Sequence, residues 1–397
     1  MGLTEVRQRV EGLVEKAPDE SDFTSRLRSP AVASRVGLWL GIAFGLCFLT
    51  GLLSHQAQSP DPVFAFPTRP VWMYRFTQGL HVTAGIAAVP LLLVKLWAVF
   101  PKFFARPPKG ARKLTLEVLE RGSIGVLVAS SIFQLATGIS NSAQWYPWSF
   151  DFKGTHYAMA WVAIGSLVVH IAVKLPIIRD ALTGDIEDGT HDRDSMTGRP
   201  PLSRRGLVRT AFLASGAAVL TTAGSTVPWL RTVSVFGVRD GQGPGGIPIN
   251  KSAKAAAVVA TALSEDYRLS VVHGDQEISF TRDELSQLRQ RTHDLPIACV
   301  EGWSASGTWT GVRLRDLLDQ VGAPRGRTVK VTSLQEDGPY RVCDVPGQFA
   351  DDPLTLIALG LNGEPLALDH GYPCRLIAPN RPGVLQTKWV TLIEVAG

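Results

Sequence analysis

Cysteine is scarce in this chain: four residues in 397, at Cys47, Cys299, Cys343 and Cys374. Thiols so few and so far apart exclude a disulfide-built scaffold, and none has zinc-type spacing. Cys47 falls inside an apolar run and reads as a small packing residue, while Cys343 and Cys374 are either a disulfide or two buried thiols. Charge is also thin, 19% against about a quarter in ordinary soluble domains. The net charge of +5 is modest, and the basic residues gather beside apolar segments. With no aromatic-and-basic stripe and no DNA-reading helix, this favours membrane orientation and excludes a nucleic-acid partner. The mean hydropathy of +0.11 averages two unlike parts. Long apolar runs lie before about residue 230, and an ordinary mixed domain follows.

Four apolar stretches of spanning length are present: Val36–Ser54, Phe76–Phe100, Ser123–Ser140 and Tyr157–Ile178. A fifth, Leu207–Trp229, is richer in Ala, Gly and Thr. Arginines 26, 28 and 35 precede the first span; Lys102, Arg106, Lys109, Arg112 and Lys113 follow the second. Arg179, Arg193, Arg199, Arg204 and Arg205 follow the fourth. The remaining connections carry interfacial aromatics instead: Trp72, Tyr74, Trp145, Tyr146 and Trp148. Positive loops stay inside, so the N-terminus is expected in the cytoplasm of a bacterium. An odd number of spans then places the C-terminal domain outside the cytoplasmic membrane. The expected organisation is a tail over 1–35, a four-helix membrane domain over 36–178, a cytoplasmic linker over 179–206, a fifth span over 207–230 and an exported domain over 242–397.

Ser203-Arg204-Arg205-Gly206-Leu207-Val208-Arg209 before an apolar run resembles a twin-arginine export signal placed internally, although Leu and Val stand where Phe and Leu are favoured. A pair of arginines there also follows simply from the positive-inside rule. No A-x-A cleavage site follows in Thr221–Val227, so the segment is expected to remain as an anchor.

His55, His81, His156 and His170 lie on or at the ends of the first four spans. Ionisable groups in a bilayer are costly, and facing helices can offer imidazoles to haem iron. At 1.5 Å per residue, His55, His81 and His156 rise roughly 28–35 Å from the cytoplasmic helix ends, and His170 about 12 Å. His81 and His156 are the preferred outer haem pair, with His55 in reserve. No second histidine occurs at the depth of His170, and Lys95 there reads as a snorkelling or lipid-phosphate lysine. The fourteen residues between His156 and His170 put both on one face of one helix, as two stacked haems would need. The segment 36–178 resembles the four-helix cytochrome b subunits that exchange electrons with quinone. That resemblance implies one or two b-type haems and the quinone pool and membrane lipids as partners.

From Ile247 the pattern changes to short strands (Tyr267–Val272, Thr328–Ser333, Cys374–Ala378) and amphipathic helices (Arg282–Arg291, Arg313–Val321), an α+β domain. The entry run, Gly241 to Gly246, is glycine-rich and reads as flexible. Pro296-Ile297-Ala298-Cys299-Val300-Glu301-Gly302-Trp303-Ser304, continuing through Trp309 to Leu318, resembles the molybdenum-cysteine segment of the sulfite oxidase family. Leu361 to Leu366, His370-Gly371-Tyr372-Pro373-Cys374-Arg375 and Lys388-Trp389 resemble its second cofactor-binding half. The resemblance spans about residues 242–397 and implies molybdopterin, in its form without an added nucleotide. Cys299 would be the molybdenum thiolate, exposed at a loop tip, a soft ligand for a metal that changes oxidation state. Arg375 and the Gln386-Thr387-Lys388 stretch would hold the pterin, with His370, Ser333 and, on a less specific match, Asn250 contributing. Taken singly, Arg375 or Lys388 could equally be surface charge flanking a strand.

Asn380-Arg381-Pro382-Gly383 departs from the family's binding loop, and no arginine-plus-tyrosine sulfite site is evident. His191, His273 and His293 stand in polar contexts and are expected to face solvent. The reading is a membrane-anchored molybdenum oxidoreductase that transfers an oxygen atom to or from a small-molecule or protein-bound partner. The functional analogue is periplasmic methionine sulfoxide reductase with its haem-bearing membrane partner, here in one chain. A sulfite-dehydrogenase-like enzyme and a non-catalytic electron-transfer module are the alternatives, and a transporter fits poorly with so few polar residues in the bundle.

Overall fold

The computed structural model describes residues 18–59, 62–64, 66–105, 108, 110–237 and 243–396. Arg106, Lys109, Gly241 and Gln242 lie outside the described residues. The chain divides into two compact units. One comprises Met1–Phe48, Thr83–Ile139 and Trp148–Val219, and the other Leu49–Val82, Ser140–Pro147 and Leu220–Gly397.

Five long helices fall on the five expected segments: α1 (Pro30–Gln58), α2 (Met73–Val99), α3 (Ala111–Ser142), α4 (Phe152–Thr183) and α5 (Arg204–Thr222). The fifth stops at Thr222, short of the expected Trp229, where single 3-10 turns (Ala223–Ser225, Pro228–Leu230) follow. All five are long and apolar enough to cross a membrane. Their starts follow local chemistry. Pro30 opens α1 after Ser29, whose Oγ accepts from Val32 N at 3.3 Å, and Asp151 caps α4 by accepting from Gly154 N at 2.6 Å. In the first unit Val32 and Val36 pack with Leu91 and Ala211. Large apolar side chains elsewhere on the helices stay exposed, such as Leu93, Val168 and Leu213. Such surfaces are at rest in hydrocarbon and not in water.

The two arginines of the export-like motif part company. Arg204 is buried, donating to the carbonyls of Arg26 at 3.1 Å and Asp188 at 2.6 Å and pairing with Asp192. Arg205 is exposed. Lys95 Nζ donates to the Ala33 carbonyl at 2.8 Å.

In the second unit two five-stranded sheets carry the C-terminal domain. The strands are β1 (Leu269–His273), β2 (Gln276–Phe280), β3 (Gln290–Ala298), β4 (Ser304–Arg313), β5 (Val329–Ser333), β6 (Val342–Val345), β7 (Leu356–Leu361), β8 (Glu364–Pro365), β9 (Arg375–Ile377) and β10 (Val390–Val395). The first sheet runs β2-β1-β10-β5-β6, with β1 and β10 parallel and the other pairs antiparallel. The second is antiparallel, β3-β4-β7-β8, with β9 also on β7. Short helices α6 (Val259–Ala262), α7 (Arg282–Gln287), α8 (Leu314–Gln320) and α9 (Gly347–Ala350) connect them. Leu285, Leu314, Leu317 and Leu318 bury these helices against Val331 and Ile393.

Two expectations need correction, and one pair of alternatives, at Cys343 and Cys374, is decided. The helix over Arg282–Arg291 stops at Gln287, because Leu288 is extended and Gln290 and Arg291 pair with Val312 and Gly311 in the β3–β4 ladder. Cys343 and Cys374 are free buried thiols. Tyr74 is not interfacial; it is buried, its N–H donating to Asn380 Oδ1 at 2.7 Å and its hydroxyl taking Gln58 Nε2 at 3.1 Å.

Candidate functional site

The β3–β4 hairpin is closed by the five residues 299–303. Cys299 N–H donates to the Trp303 carbonyl at 2.9 Å and Gly302 N–H to the Cys299 carbonyl at 3.1 Å, so the cysteine begins a tight turn. Gly302 sits at φ 86°, which favours glycine. A Cβ there would lie 3.0 Å from Ser142 Oγ and 3.6 Å from Val82 Cγ2.

Cys299 is therefore not an exposed loop tip. It is 1% exposed, because residues 49–82 and 140–147 pack around the turn. Tyr74 shares an apolar cluster with Ala298, Ala57 and Phe66. Asn141 Nδ2 donates to the Val300 carbonyl at 2.9 Å, and Tyr146 Oη donates to Asn141 Oδ1 at 2.9 Å. The Glu301 carboxylate accepts from Trp303 Nε1 at 3.0 Å and Gln144 Nε2 at 3.3 Å. Burial pushes the Cys299 thiol up, and the Glu301 charge adds to this. The backbone amides of Glu301 and Val300 and the Lys388 ammonium pull it the other way. Such a thiol stays protonated until a metal takes the proton's place.

The second half of the site is the loop joining β9 to β10, together with the turn Leu368–Gly371. Gly371, at φ 110°, lets two cationic residues approach: a Cβ there would meet Arg375 Cβ at 3.0 Å and Lys388 Cβ at 3.1 Å. Arg375 lies over the Trp309 ring at 5.0 Å and donates to the carbonyls of His370 at 3.1 Å and Gln386 at 3.2 Å. Lys388 Nζ donates to the carbonyls of Lys251 and Asp369. Neither cation has a carboxylate ion pair among the described residues. Burial lowers Arg375 to about 9. Lys388 falls to about 7, first from burial and then from the charge of Arg375. His370 falls to about 4 by burial, with Arg375 adding to it.

His370 Nε2, Arg375 Nε and Thr387 Oγ1 are buried without a well-formed hydrogen bond among the described residues, although the His370 ring lies near the Pro244 and Ile247 backbone and Thr387 near the Cys343 thiol. Buried polar atoms are ordinarily paired, and orphans gathered around two unpaired cations call for an absent anionic, hydrogen-bonding group. The phosphate and polar edge of molybdopterin supply that chemistry, and the donors fit it. When bound, the group would bring a metal able to change oxidation state by two electrons while carrying an oxygen atom.

Other expected contact residues have protein partners in this structure. Gln386 braces the loop: Ala378 N–H donates to its Oε1 at 3.2 Å, and its Nε2 donates to the Arg381 carbonyl at 2.9 Å. Ser333 Oγ is spent on the Lys388 carbonyl at 2.8 Å and fixes that lysine's backbone. Asn250 is exposed, its Oδ1 accepting from Lys251 N at 2.9 Å. His191 is exposed as expected. His273 instead engages the Val321 carbonyl at 3.1 Å, and His293 is partly buried.

Sequence reasoning missed Asn141, Tyr74, Asn380 and Arg381. Asn380, at φ 51°, reaches Tyr74 N and donates to the Pro67 carbonyl at 2.7 Å. Arg381 donates to the carbonyls of Asp344 at 2.6 Å and Leu385 at 3.0 Å. The Asn380-Arg381 departure from the family loop was the available signal.

Among the membrane-region histidines, two share one arrangement. His81 Nδ1 meets Thr50 Oγ1 at 3.2 Å, and a Cβ on Gly51 would come within 3.1 Å of its ring. His156 Nδ1 meets Thr137 Oγ1 at 3.1 Å, and a Cβ on Gly138 would stand 3.7 Å from its ring, an ordinary contact. His55 lies in the last turn of α1, and the charged groups nearest His170 include Lys95, Lys174 and Glu120, with no second histidine.

Residues 255–397 match the oxidoreductase molybdopterin binding domain. Mitochondrial sulfite oxidase of Drosophila melanogaster is 31% identical over 158 residues, covering 33% of this chain and 27% of that protein. The methionine-sulfoxide reductase catalytic subunit MsrP of Xanthomonas campestris is 37% identical over 112 residues, 25% of this chain and 34% of that protein. The chain thus spans about a third or less of the length of these relatives. The solved sulfane dehydrogenase SoxCD from Paracoccus pantotrophus is 25% identical over 34% of this chain and 39% of its own, with a TM-score of 0.31. Cys299 in its buried turn and the cationic loop both lie inside this segment, which matches a molybdopterin binding domain and is similar to parts of sulfite oxidase and of the methionine-sulfoxide reductase catalytic subunit.

Proposed function

We propose that this chain is a membrane-bound molybdenum oxidoreductase that moves an oxygen atom on the extracytoplasmic side of a bacterial cytoplasmic membrane and trades electrons with the quinone pool. The observation that carries the reading is the set of buried, unpaired cations and orphaned polar atoms at His370, Arg375, Thr387 and Lys388, beside the matched Cys299 segment. In the sulfoxide-reducing direction a sulfoxide takes two electrons and two protons to give the sulfide and water. A quinol releases two electrons and two protons on becoming the quinone, so the reaction balances. The relative from Xanthomonas bears a sulfoxide reductase name and the one from Drosophila a sulfite oxidase name, so the reverse, oxygen-inserting direction is the second reading.

The electrons would cross through b-type haem. What supports this is that His81 and His156 lie on the expected spans and each meets a threonine hydroxyl through Nδ1, a contact that helps fix the ring's orientation. Metal analysis with a reduced-minus-oxidised optical spectrum on detergent-purified protein tests both halves. Molybdenum near one per chain and a b-type band lost in His81→Ala are expected. Molybdenum without any haem band would remove the quinone link, and haem without molybdenum, in a host that makes the cofactor, would sink the enzyme reading.

A further inference from the structure

A cleft of about 420 Å³ opens in the first unit, and its walls include Arg35, Asp185, Arg205, Val208, Arg209 and Phe212. Arg205, Val208, Arg209 and Phe212 are spaced i, i+3, i+4 and i+7 on α5 and share one face. On α1, Arg35 is followed one turn later by Trp39, whose ring meets that of Phe212 edge-on at 5.6 Å. Both helices therefore present a cation near their N-terminal end and an aromatic ring one turn further along.

The charge is poorly compensated. Arg35 donates to the backbone carbonyls of Ala181 at 2.7 Å and Gly184 at 2.6 Å. The Arg205 guanidinium stands 3.6 Å from Asp185, with both side chains more than half exposed, so the pair is weak. Arg209 has no hydrogen bond or ion pair among the described residues. Glu187 Oε1 accepts the Arg205 backbone N–H at 3.0 Å, so three guanidiniums face two carboxylates, and the cleft keeps a net positive charge beside the apolar Val208 and Phe212.

We propose that this cleft binds the headgroup of an anionic phospholipid, its phosphate on Arg35, Arg205 and Arg209 and its acyl chains along Trp39, Val208 and Phe212. A soluble anion would use the cations and leave the apolar wall idle, whereas a phospholipid satisfies both in the order the helices present them. The inference rests on the reading of α1 and α5 as membrane spans, with these ends on the cytoplasmic side.

The test is native mass spectrometry of the full chain, delipidated in mild detergent and titrated with phosphatidylglycerol or phosphatidylcholine. Wild type is expected to prefer phosphatidylglycerol by about tenfold or more, and R205Q/R209Q to lose the preference. R112Q/K113Q removes the same charge from the exposed start of α3 and should keep it. Equal loss in both double variants, or no loss in R205Q/R209Q, overturns the site. Displacement of the lipid by millimolar inorganic phosphate would identify a free-anion site and overturn the lipid. Alkaline carbonate extraction separates the two readings. A chain released by carbonate fails the membrane reading itself, while one retained without lipid preference sinks this inference alone.

Discussion

The loop around Arg375 and the helices around His81 and His156 both hold ionisable groups in low-dielectric surroundings, yet they are built oppositely. In the loop, buried cations are held by the carbonyls of their own neighbours, and orphaned donors remain. In the helices each histidine meets a threonine of the preceding helix. The first arrangement is preorganised for a ligand and strained without it. The second is a set of ordinary side-chain contacts that a ligand could use. An anion-binding loop therefore declares itself through its electrostatics, and a haem site read from single histidines does not.

The sharpest way to break the comparison is Cys299→Ser. It removes the thiolate and keeps the turn, whose hydrogen bonds are backbone to backbone. Turnover should vanish while the optical spectrum of the helical region stays unchanged. Retained turnover would mean that the loop binds something other than a molybdenum cofactor.

Arg375→Met comes next, and its value lies in the sign. In the apo protein the substitution removes a buried cation lacking a carboxylate, so thermal unfolding should shift upward even after two hydrogen bonds are lost. In the loaded protein it removes charge-assisted contacts of about 1.5–3 kcal/mol, or about 10–100-fold in cofactor retention. Calorimetry of apo and loaded forms reads both. The same sign in the two forms would show that Arg375 is a structural residue.

What could be read from the sequence follows the same division. The cysteine segment and the Arg375–Lys388 stretch are contiguous, so their chemistry could be recognised, and the apolar runs announced all five helices. Burial of Cys299 was invisible, because Asn141, Gln144 and Tyr74 reach its turn from more than 150 residues away in sequence. Arg204 looked like part of an export signal, and its contacts with Arg26, Asp188 and Asp192 depend on the fold. Helix α7 ended early because strand pairing claimed Gln290 and Arg291, a long-range term that local periodicity does not contain.

Acid and alkali sharpen the loop's side of the comparison by smaller amounts. Lys388 is depressed from 10.5 to about 7 in the folded protein. Between those values the unfolded chain binds the extra proton, so apo stability should rise as pH climbs from about 7 to about 10.5. His370, depressed from 6.5 to about 4, should likewise cost stability as pH falls through that window. Lys388→Met should flatten the alkaline slope and His370→Phe the acid one. Chemical denaturation across pH reads both, and bound cofactor anion should reduce the alkaline slope by favouring charged Lys388.

The smallest expected effect concerns the residues 140–147 that pack on the cysteine turn. Asn141→Ala deletes the bond to the Val300 carbonyl and leaves Tyr146 Oη without its acceptor. The loss should be about 1 kcal/mol of stability, the ordinary worth of such bonds. Its more telling consequence is access, because Cys299 is buried under these contacts. In the apo protein, alkylation of Cys299 followed by peptide mass mapping should be several-fold faster in the variant, while Cys343 and Cys374, buried elsewhere in the fold, keep their rates. Asn141→Asp retains the acceptor for Tyr146 and lacks the donor to Val300, so it should behave like alanine at the cysteine. Wild-type alkylation in both variants would mean that the β3–β4 hairpin alone holds the turn. Faster alkylation in both would show that residues 140–147, which belong to the same compact unit as the hairpin, hold the cysteine turn closed.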